Sequence, residues 1–254
     1  MSGIEYLMTI ALGPALYLQG RYVRRRIPRL PEPRGERSGR LVAEIDTATP
    51  LRMLIAGDSA AAGVGANSQD EALSGRLLAE LSGDHGLEWR LEARTGATTR
   101  QTISRLGRLI RTGQPAFDLL ITSLGVNDVT ANVGLSQWLA SQRELRQLAR
   151  ERLGVRLLII TSVPPIGLFP ALPHPLRWYL GQRADRFNTC LAEDLQSEDD
   201  ACFLDLRFSL DPALMAVDGF HPGPVIYAEW ARRAASLIRA NHSRLQRQPQ
   251  TPDL

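Results

Sequence analysis

Residues 51–63, LRMLIAGDSAAAG, join a short apolar run to a turn rich in glycine and alanine. The run ends at Gly57, which is typical of a buried β-strand rather than a helix. Four more strand-like runs follow, separated by segments whose apolar residues recur at helical spacing. The predicted strands cover residues 51–56, 88–93, 117–124, 156–163 and 202–206. The predicted helices cover residues 71–81, 98–111, 136–153 with Ser136 as the N-cap, 176–195 and 225–240.

Strands that alternate with helices form βαβ units, and these units build a parallel sheet covered by helices on both faces. The sequence therefore predicts an α/β protein with a five-stranded parallel sheet. Sheets of this kind bind ligands beyond the carboxyl ends of their strands. Polar clusters at those ends are accordingly the candidates for a functional site.

Four polar clusters lie after predicted strands or in the loop before the last helix. They are GDS at residues 57–59, RTGAT at 94–98, GVND at 125–128 and DGFHP at 218–222. Each cluster alone has an ordinary structural explanation, because serine caps helices, and glycine, asparagine and aspartate favour turns. Their joint occurrence, in this order and at one sheet edge, is much less expected by chance.

These clusters resemble the four blocks that name the SGNH hydrolases, also called the GDSL-type esterase and lipase family. The matching residues are Ser59 in GDSAAAG, Gly96 in RTGATT, Asn127 in SLGVNDVT and His221 in DGFHP. The first block has Ala60 where the family often has leucine, which is a common variation. The resemblance spans residues 57–221 and implies a flavodoxin-like, three-layer α/β/α fold.

The resemblance also implies a catalytic serine with its supporting groups. Ser59 would be the nucleophile, His221 would take its proton, and Asp218 would accept the other ring N–H and fix the tautomer. The oxyanion hole would consist of the backbone N–H groups of Ser59 and Gly96 and the side-chain amide of Asn127.

Other arrangements fit the sequence less well. An α/β-hydrolase requires the pattern G-x-S-x-G, but Ala61 stands two residues after Ser59. We interpret the acidic neighbours Asp58 and Asp128 as structural groups that hold loops through backbone N–H groups. The remaining histidines lack an acidic residue placed as Asp218 is and receive no role: His85, His174 and His242.

Composition excludes several further chemistries. All 30 basic residues are arginine, so the chain has neither a Schiff-base lysine nor a Walker A loop. The two cysteines, Cys190 and Cys202, cannot build a disulfide framework or a four-cysteine metal site, and we expect two buried thiols. The four histidines contain no HExxH pattern. We therefore expect neither a metal nor a cofactor.

The net charge of +3 comes from one short segment. Residues 21–40 contain eight arginines against Glu32 and Glu36, whereas residues 41–254 contain 22 arginines against 24 acidic residues. A basic footprint across the body of the protein is therefore lacking, and we expect no nucleic-acid partner.

Residues 4–18 are mostly apolar and precede the arginines, and three interpretations of this stretch stay open. It is shorter than the roughly 20 residues that span a bilayer. It could be a helix packed on the domain, a membrane attachment through residues 4–26, or an atypical export signal. In a membrane, the arginines would hold the rest of the chain on the cytoplasmic side. We expect a cytoplasmic protein, membrane-associated in the second interpretation.

The predicted organisation has four parts, and nothing in the sequence indicates an oligomeric state. They are an apolar helix with a basic flank at residues 1–27, a linker at 28–50, the SGNH hydrolase domain at 51–242 and a polar tail at 243–254. Proline, glycine and arginine dominate the linker.

The loop after the fourth predicted strand, residues 164–175, contains apolar residues among five prolines. We expect it to hang over the same sheet edge as Ser59. Phe169 and Leu172 are candidate substrate contacts in an apolar wall for an acyl chain. The alternative is a rigid crossover whose apolar residues pack on the following helix, and Trp178 and Tyr179 carry the same ambiguity.

The expected function is hydrolysis of a small-molecule carboxylic ester through an acyl-enzyme. The apolar loop and N-terminus mildly favour a lipid-like ester, such as a lysophospholipid or an acyl thioester, over a sugar acetate. Two alternatives remain: a carbohydrate O-acetyl esterase using the same site, and a non-catalytic, membrane-tethered binding module.

Overall fold

A central sheet of six strands organises the described part of the protein. The computed structural model describes residues 3–42, 50–84, 86–113, 116–207 and 211–246. The strands are β1 Ser38–Leu41, β2 Leu51–Gly57, β3 Leu87–Ala93, β4 Leu119–Ser123, β5 Leu157–Thr161 and β6 Ala201–Leu204. They lie in the order β1-β3-β2-β4-β5-β6, and each neighbouring pair is parallel apart from β1 and β3.

Helices cover both faces of this sheet. They are α1 Gly3–Arg26, α2 Leu73–Leu81, α3 Thr99–Arg111, α4 Val126–Thr130, α5 Leu135–Leu153, α6 Leu176–Leu195, α7 Pro224–Ala240 and α8 His242–Gln246. One core lies between the sheet and α1, α3, α5 and α6, and a second lies between the sheet and α2, α7 and α8. Because successive strand residues point to opposite faces, Leu54 and Ala56 enter the first core while Met53 and Ile55 enter the second. The predicted three-layer α/β fold is confirmed.

The parallel register brings the carboxyl ends of the central strands to one edge. Gly57, the last residue of β2, pairs with both Ala93 and Ser123, the last residues of β3 and β4. The loops that leave β2, β3 and β4 therefore start side by side. These are the loops that carry Ser59, Gly96 and Asn127.

The sheet has one strand more than predicted, and this strand lies within residues 28–50, predicted as a linker. β1 pairs antiparallel with β3, from Ser38 opposite Arg90 to Leu41 opposite Leu87. Its sequence, SGRL, has no apolar alternation, and only Leu41 is partly buried. Backbone hydrogen bonds to the edge of β3 define this strand, so a hydropathy pattern does not detect it.

The predictions for the start of α5 and for the two thiols differ from the structure, and the predicted polar tail lies partly outside the described residues. α5 begins at Leu135 after Gly134, without a side-chain cap, so Ser136 lies inside the first turn. The thiols of Cys190 and Cys202 are free but half-buried rather than buried. The predicted polar tail begins within α8, whereas residues 247–254 lie outside the described residues.

The C-terminal half of α1 packs on the start of α6. Val23 is buried in the first core. The Gln19 side chain donates to the His174 carbonyl at 2.7 Å and accepts from the Leu176 N–H at 3.0 Å. Among the described helices, α1 included, none combines the length and the apolar character needed to cross a membrane.

Candidate active site

The turn after β2 packs closely against the end of β4. A Cβ on Gly57 would lie 2.3 Å from the Ser123 carbonyl oxygen, so this position requires glycine. The Asp58 N–H donates to the same oxygen at 3.1 Å. The Asp58 carboxylate accepts hydrogen bonds from the Ala60 N–H at 3.0 Å and from the Ser123 hydroxyl at 3.2 Å. These contacts fix Ser59 at the strand end.

Ser59, His221 and Asp218 form a continuous chain of hydrogen bonds. Ser59 Oγ lies 3.0 Å from His221 Nε2. On the other side of the ring, His221 Nδ1 lies 2.6 Å from Asp218 Oδ2. Both distances lie within the range of roughly 2.6–3.2 Å that links a nucleophile to its base and the base to an orienting group. The arrangement can remove a proton from the serine hydroxyl.

The loop before α7 presents Asp218 and His221 in a fixed relation. The second oxygen of Asp218, Oδ1, accepts from the backbone N–H groups of Phe220 at 2.9 Å and His221 at 3.0 Å. Burial pushes the pKa of Asp218 upward, but the hydrogen bonds from His221 and Phe220 outweigh it and leave the pKa below the ordinary 3.8. The carboxylate is therefore ionised at neutral pH and favours a proton on the facing ring nitrogen.

The three groups predicted as an oxyanion hole lie on neighbouring loops. Gly96 has a φ of +79°, and no atom lies within 4 Å of the position of an added Cβ. Within the described residues, the backbone N–H groups of Ser59 and Gly96 have no protein acceptor. The Asn127 amide donates to the Ala97 carbonyl at 3.0 Å, which orients the amide and leaves its second N–H available.

Asp128 ties together the loops that carry Gly96 and Asn127. Its buried Oδ2 accepts from the Thr99 N–H at 3.1 Å and from the Thr99 hydroxyl at 3.0 Å. Burial raises the pKa of Asp128, against the lowering effect of these hydrogen bonds. Asp58 and Asp128 thus make the backbone contacts expected of structural carboxylates.

An apolar pocket opens beside Ser59 and His221. Its lining includes Leu124, Phe169, Leu206, Phe220, Ile226 and Trp230. The ring of Phe169 packs edge-on against Phe220 at 5.2 Å between centroids, and Phe220 in turn lies 5.3 Å from the His221 ring. The pocket can receive an apolar group next to the serine hydroxyl.

The loop of residues 164–175 contributes to both the pocket and the core. Of the two candidate substrate contacts, Phe169 lines the pocket and Leu172 does not. Ile166, Phe169 and Leu172 are all buried in the first core. Trp178 and Tyr179 also lie outside the pocket lining.

A model of the GDSL-like lipase/acylhydrolase family matches residues 55–229, more than half of the chain. The chain belongs to this family. The matched residues contain all four sequence blocks, so the resemblance to the SGNH hydrolases is confirmed. Ester hydrolysis is the chemistry after which this family is named.

Known proteins resemble this chain in sequence or in fold. A GDSL-like esterase from Mycobacterium tuberculosis is 27% identical over 187 residues, which cover 70% of this chain. The chain spans 58% of the length of that relative. A carbohydrate acetylesterase from Sinorhizobium meliloti superposes with a TM-score of 0.58 at 17% identity, covering 75% of this chain and 99% of the other. A lipase from a goat rumen metagenome gives 0.57 at 16%, covering 73% and 96%. Both the acetylesterase and the lipase share the fold of this chain.

The sequence does not predict much of the pocket lining. The pocket is lined by Leu206, Ile226 and Trp230, none of which the sequence indicates as a site residue. Helical spacing identifies the inward face of α7 but does not separate core positions from cavity positions. Among the other histidines, His174 contacts Gln19 through its carbonyl, and His85 lies outside the described residues.

Asp58 is a fully buried carboxyl group next to the candidate nucleophile. Burial raises its pKa from the ordinary 3.8 to about 6, although the Ala60 and Ser123 hydrogen bonds and the nearby His221 act in the opposite direction. Between these two values the native state holds more proton at Asp58 than the unfolded chain does. The free energy of unfolding therefore falls as the pH rises through this interval.

Replacing Asp58 with asparagine tests the loss of stability that follows from ionising this buried carboxyl group. Asp58→Asn keeps an acceptor oxygen for Ala60 and Ser123 but cannot ionise. We expect its free energy of unfolding, relative to the unmodified protein, to increase as the pH rises from 3.8 towards 6 and then to level off. Urea unfolding across this range measures the difference, with Asp70→Asn as an exposed control. A difference that does not change with pH would contradict the raised pKa.

Proposed function

We propose that this chain is a serine esterase that hydrolyses carboxylic esters of an apolar acyl group through an acyl-enzyme. The observation that carries the proposal is the hydrogen-bonded chain from Ser59 through His221 to Asp218, next to an apolar pocket. Membership of an acylhydrolase family supports the same reaction.

In the first half of the proposed reaction, Ser59 Oγ bonds to the carbonyl carbon while His221 Nε2 takes the hydroxyl proton. The carbonyl electron pair moves to oxygen and forms the oxyanion. When this intermediate collapses, the bond to the alcohol oxygen breaks, and His221 returns the proton to the departing alcohol. The acyl group remains on Ser59.

In the second half, water attacks the acyl-enzyme with His221 again as the base. The acid is released and Ser59 recovers its proton. Asp218 holds the ring in the required tautomer throughout. The N–H groups of Ser59, Gly96 and Asn127 would stabilise both oxyanions, at roughly 3 kcal/mol for each donor.

Ser59→Ala tests the nucleophile without requiring the natural substrate. We expect hydrolysis of p-nitrophenyl butanoate to disappear, and covalent labelling by a fluorophosphonate to disappear with it, because the attacking oxygen is missing. Mass mapping should place the adduct of the unmodified protein on Ser59, and His221→Ala should greatly slow its formation. Ser104→Ala, on the exposed face of α3, is the matched control.

Two outcomes would contradict this proposal. Hydrolysis that survives Ser59→Ala would place the nucleophile elsewhere. A folded protein that forms no adduct and hydrolyses no ester would instead favour the non-catalytic binding module.

The lining of the pocket supports one class of substrate. Its walls next to Ser59 are largely apolar, which suits an acyl chain better than a sugar. Structural relatives with the same fold are named as carbohydrate acetylesterases and as a lipase, so the fold itself accommodates either kind of ester. We infer that the acyl group of this substrate is longer than acetyl.

Acyl length tests this inference. Across p-nitrophenyl acetate, butanoate and hexanoate, kcat/KM should rise by up to about fourfold for each CH₂ that enters the pocket, since burial contributes about 0.8 kcal/mol per CH₂. Met215→Trp, which fills part of the pocket, should remove the gain for the longer esters and spare acetate. Fastest turnover of acetate, together with hydrolysis of acetylated xylo-oligosaccharides, would instead support the carbohydrate O-acetyl esterase.

We also propose that α1 contacts an anionic membrane surface, such as the cytoplasmic leaflet. Its exposed face carries Tyr17, Leu18 and Tyr22, with exposed fractions of 61%, 65% and 55%. Five exposed arginines lie among and after them: Arg21, Arg24, Arg25, Arg26 and Arg29. Within the described residues none of the five forms an ion pair with an acidic side chain, and two stack on the tyrosines. Exposed aromatic and arginine side chains on one face suit a lipid interface.

The exposed face of α1 lies on the helix that packs against the start of α6, at the same edge of the sheet as the candidate active site. α6 follows β5 in a parallel sheet and therefore starts at the carboxyl edge, where Ser59 also lies. Gln19 attaches α1 to the first turn of α6. Membrane contact through α1 would therefore hold this edge of the domain near the lipid.

Sedimentation with vesicles tests the membrane proposal independently of activity. The full chain should pellet with vesicles of phosphatidylcholine mixed with phosphatidylglycerol, and not with phosphatidylcholine alone. The triple variant R21Q/R25Q/R26Q should weaken partitioning on the order of 100-fold, at about 1 kcal/mol per arginine. The charge-matched control R108Q/R111Q/R152Q should bind normally. Equal losses in both triples, or binding to an oligonucleotide but not to vesicles, would overturn the proposal.

A further inference from the structure

A segment outside the family match reaches the turn that carries Gly96. Residues 28–37 precede β1, whereas the family match begins at residue 55. Glu32 lies in this segment, and its side chain contacts Thr95, the residue directly before Gly96. The predicted linker therefore touches one wall of the candidate oxyanion hole.

The Glu32 carboxylate binds both donors of Thr95. Glu32 Oε1 accepts from the Thr95 N–H at 2.8 Å and from the Thr95 hydroxyl at 2.8 Å. The other oxygen, Oε2, accepts from Arg37 Nη1 at 2.9 Å. Thr95 is thus held at its backbone and at its side chain by one carboxylate oxygen.

Arg37 forms hydrogen bonds to β3 at the start of the same turn. Its Nη2 donates to the Ala93 carbonyl at 2.5 Å, on the strand side of the turn. Its own carbonyl accepts from the Leu91 N–H at 2.7 Å. Arg37 therefore binds the residue before Arg94, and Glu32 binds the residue after it. An ion pair joins Glu32 to Arg37.

The turn has few other constraints. Arg94, Thr95 and Gly96 are exposed. The Arg94 N–H donates to the Gly57 carbonyl at 3.1 Å, and the Ala97 N–H donates to the Arg94 carbonyl at 3.1 Å. Gly96 has a positive φ, and its lack of a Cβ gives its backbone more conformational freedom than other residues have. The direction of the Gly96 N–H depends on how Thr95 is held, because this N–H belongs to the peptide group that joins the two residues.

The electrostatic state of Glu32 suits this contact. Burial acts to raise the pKa of Glu32, but the Thr95 hydrogen bonds and Arg37 more than offset it and leave the pKa below the ordinary 4.5. Glu32 is therefore an ionised acceptor at neutral pH. Charged acceptors make shorter and stronger hydrogen bonds than neutral ones do.

We propose that Glu32 is a positioning residue that aims the Gly96 N–H at the oxyanion by holding Thr95. It does not touch the substrate and acts only through the turn. The inference rests on the proposed esterase function, and it assigns a role in catalysis to a segment beyond the matched family region.

Glu32→Ala and Glu32→Gln, measured in the full-length chain, test this role. Glu32→Ala removes the acceptor, and we expect kcat for p-nitrophenyl butanoate to fall by about 10- to 100-fold, less than the loss of a whole oxyanion donor. KM should change little, because the ground-state ester does not depend on this N–H. Glu32→Gln keeps an acceptor oxygen for Thr95 and should recover most of the activity. Glu36→Ala removes an exposed carboxylate from the same segment and is the matched control.

A trifluoromethyl ketone with a butyl chain separates positioning from a merely structural role. Ser59 adds to its carbonyl carbon, the proton passes to His221, and the carbonyl oxygen becomes an oxyanion like that of the ester intermediate. In Glu32→Ala the affinity for this ketone should fall by the same factor as kcat/KM. Titration with a fluorophosphonate counts the active sites, so a lower folded fraction does not imitate the effect.

The outcomes distinguish this inference from the function on which it rests. Activity that is normal per titrated site in Glu32→Ala, or ketone affinity that stays unchanged while kcat falls, would overturn the positioning role and leave the esterase intact. An unmodified protein that neither hydrolyses the ester nor binds the ketone would overturn the esterase function itself.

Discussion

The contact between the ends of β2 and β4 is the constraint on which the rest of the site depends. The Ser123 carbonyl approaches so close to Gly57 that no side chain fits there, and it accepts the Asp58 N–H. This contact turns the chain sharply at the end of a buried strand. Ser59 is thereby held at the carboxyl edge, where the loops from the neighbouring strands converge. A looser strand end would leave the serine without a fixed direction towards His221.

Two buried carboxyl groups flank the candidate nucleophile, and their surroundings give them opposite properties. Asp218 accepts the imidazole N–H and two backbone N–H groups, which lowers its pKa and keeps it charged. Asp58 is fully buried, and its hydrogen bonds only partly offset desolvation, so its pKa rises to about 6. Stronger desolvation of Asp58, together with the hydrogen bond from the His221 ring to Asp218, sets the two pKa values apart. Asp218 can orient a histidine, whereas Asp58 serves to shape the turn.

The N-terminal segment is more closely integrated with the domain than its composition indicates. α1 is fastened through Gln19 and Val23, and Glu32 and Arg37 bind the turn beside Gly96. The strand β1 then extends the sheet beyond β3. Apart from the burial of Val23, these contacts use polar side chains or backbone groups, which carry no periodic signal. The composition of a proline- and arginine-rich stretch can therefore indicate a linker even though the stretch forms specific contacts with the domain.

The sequence by itself determined the family, the layered α/β fold and the four loops that meet at one edge. Apolar periodicity specifies buried strands and helix faces, and the spacing of glycine, asparagine and histidine blocks is a local property of the chain. Asp218 was identifiable for the same reason, since it stands three residues from His221. Only the tertiary structure decided which buried apolar residues also line the pocket: Phe169 and Leu172 both belong to the first core, and of these two Phe169 alone lines the pocket. It also decided the pKa of Asp58 and the contact of Glu32 with Thr95, because desolvation and long-range hydrogen bonds depend on residues far apart in the chain.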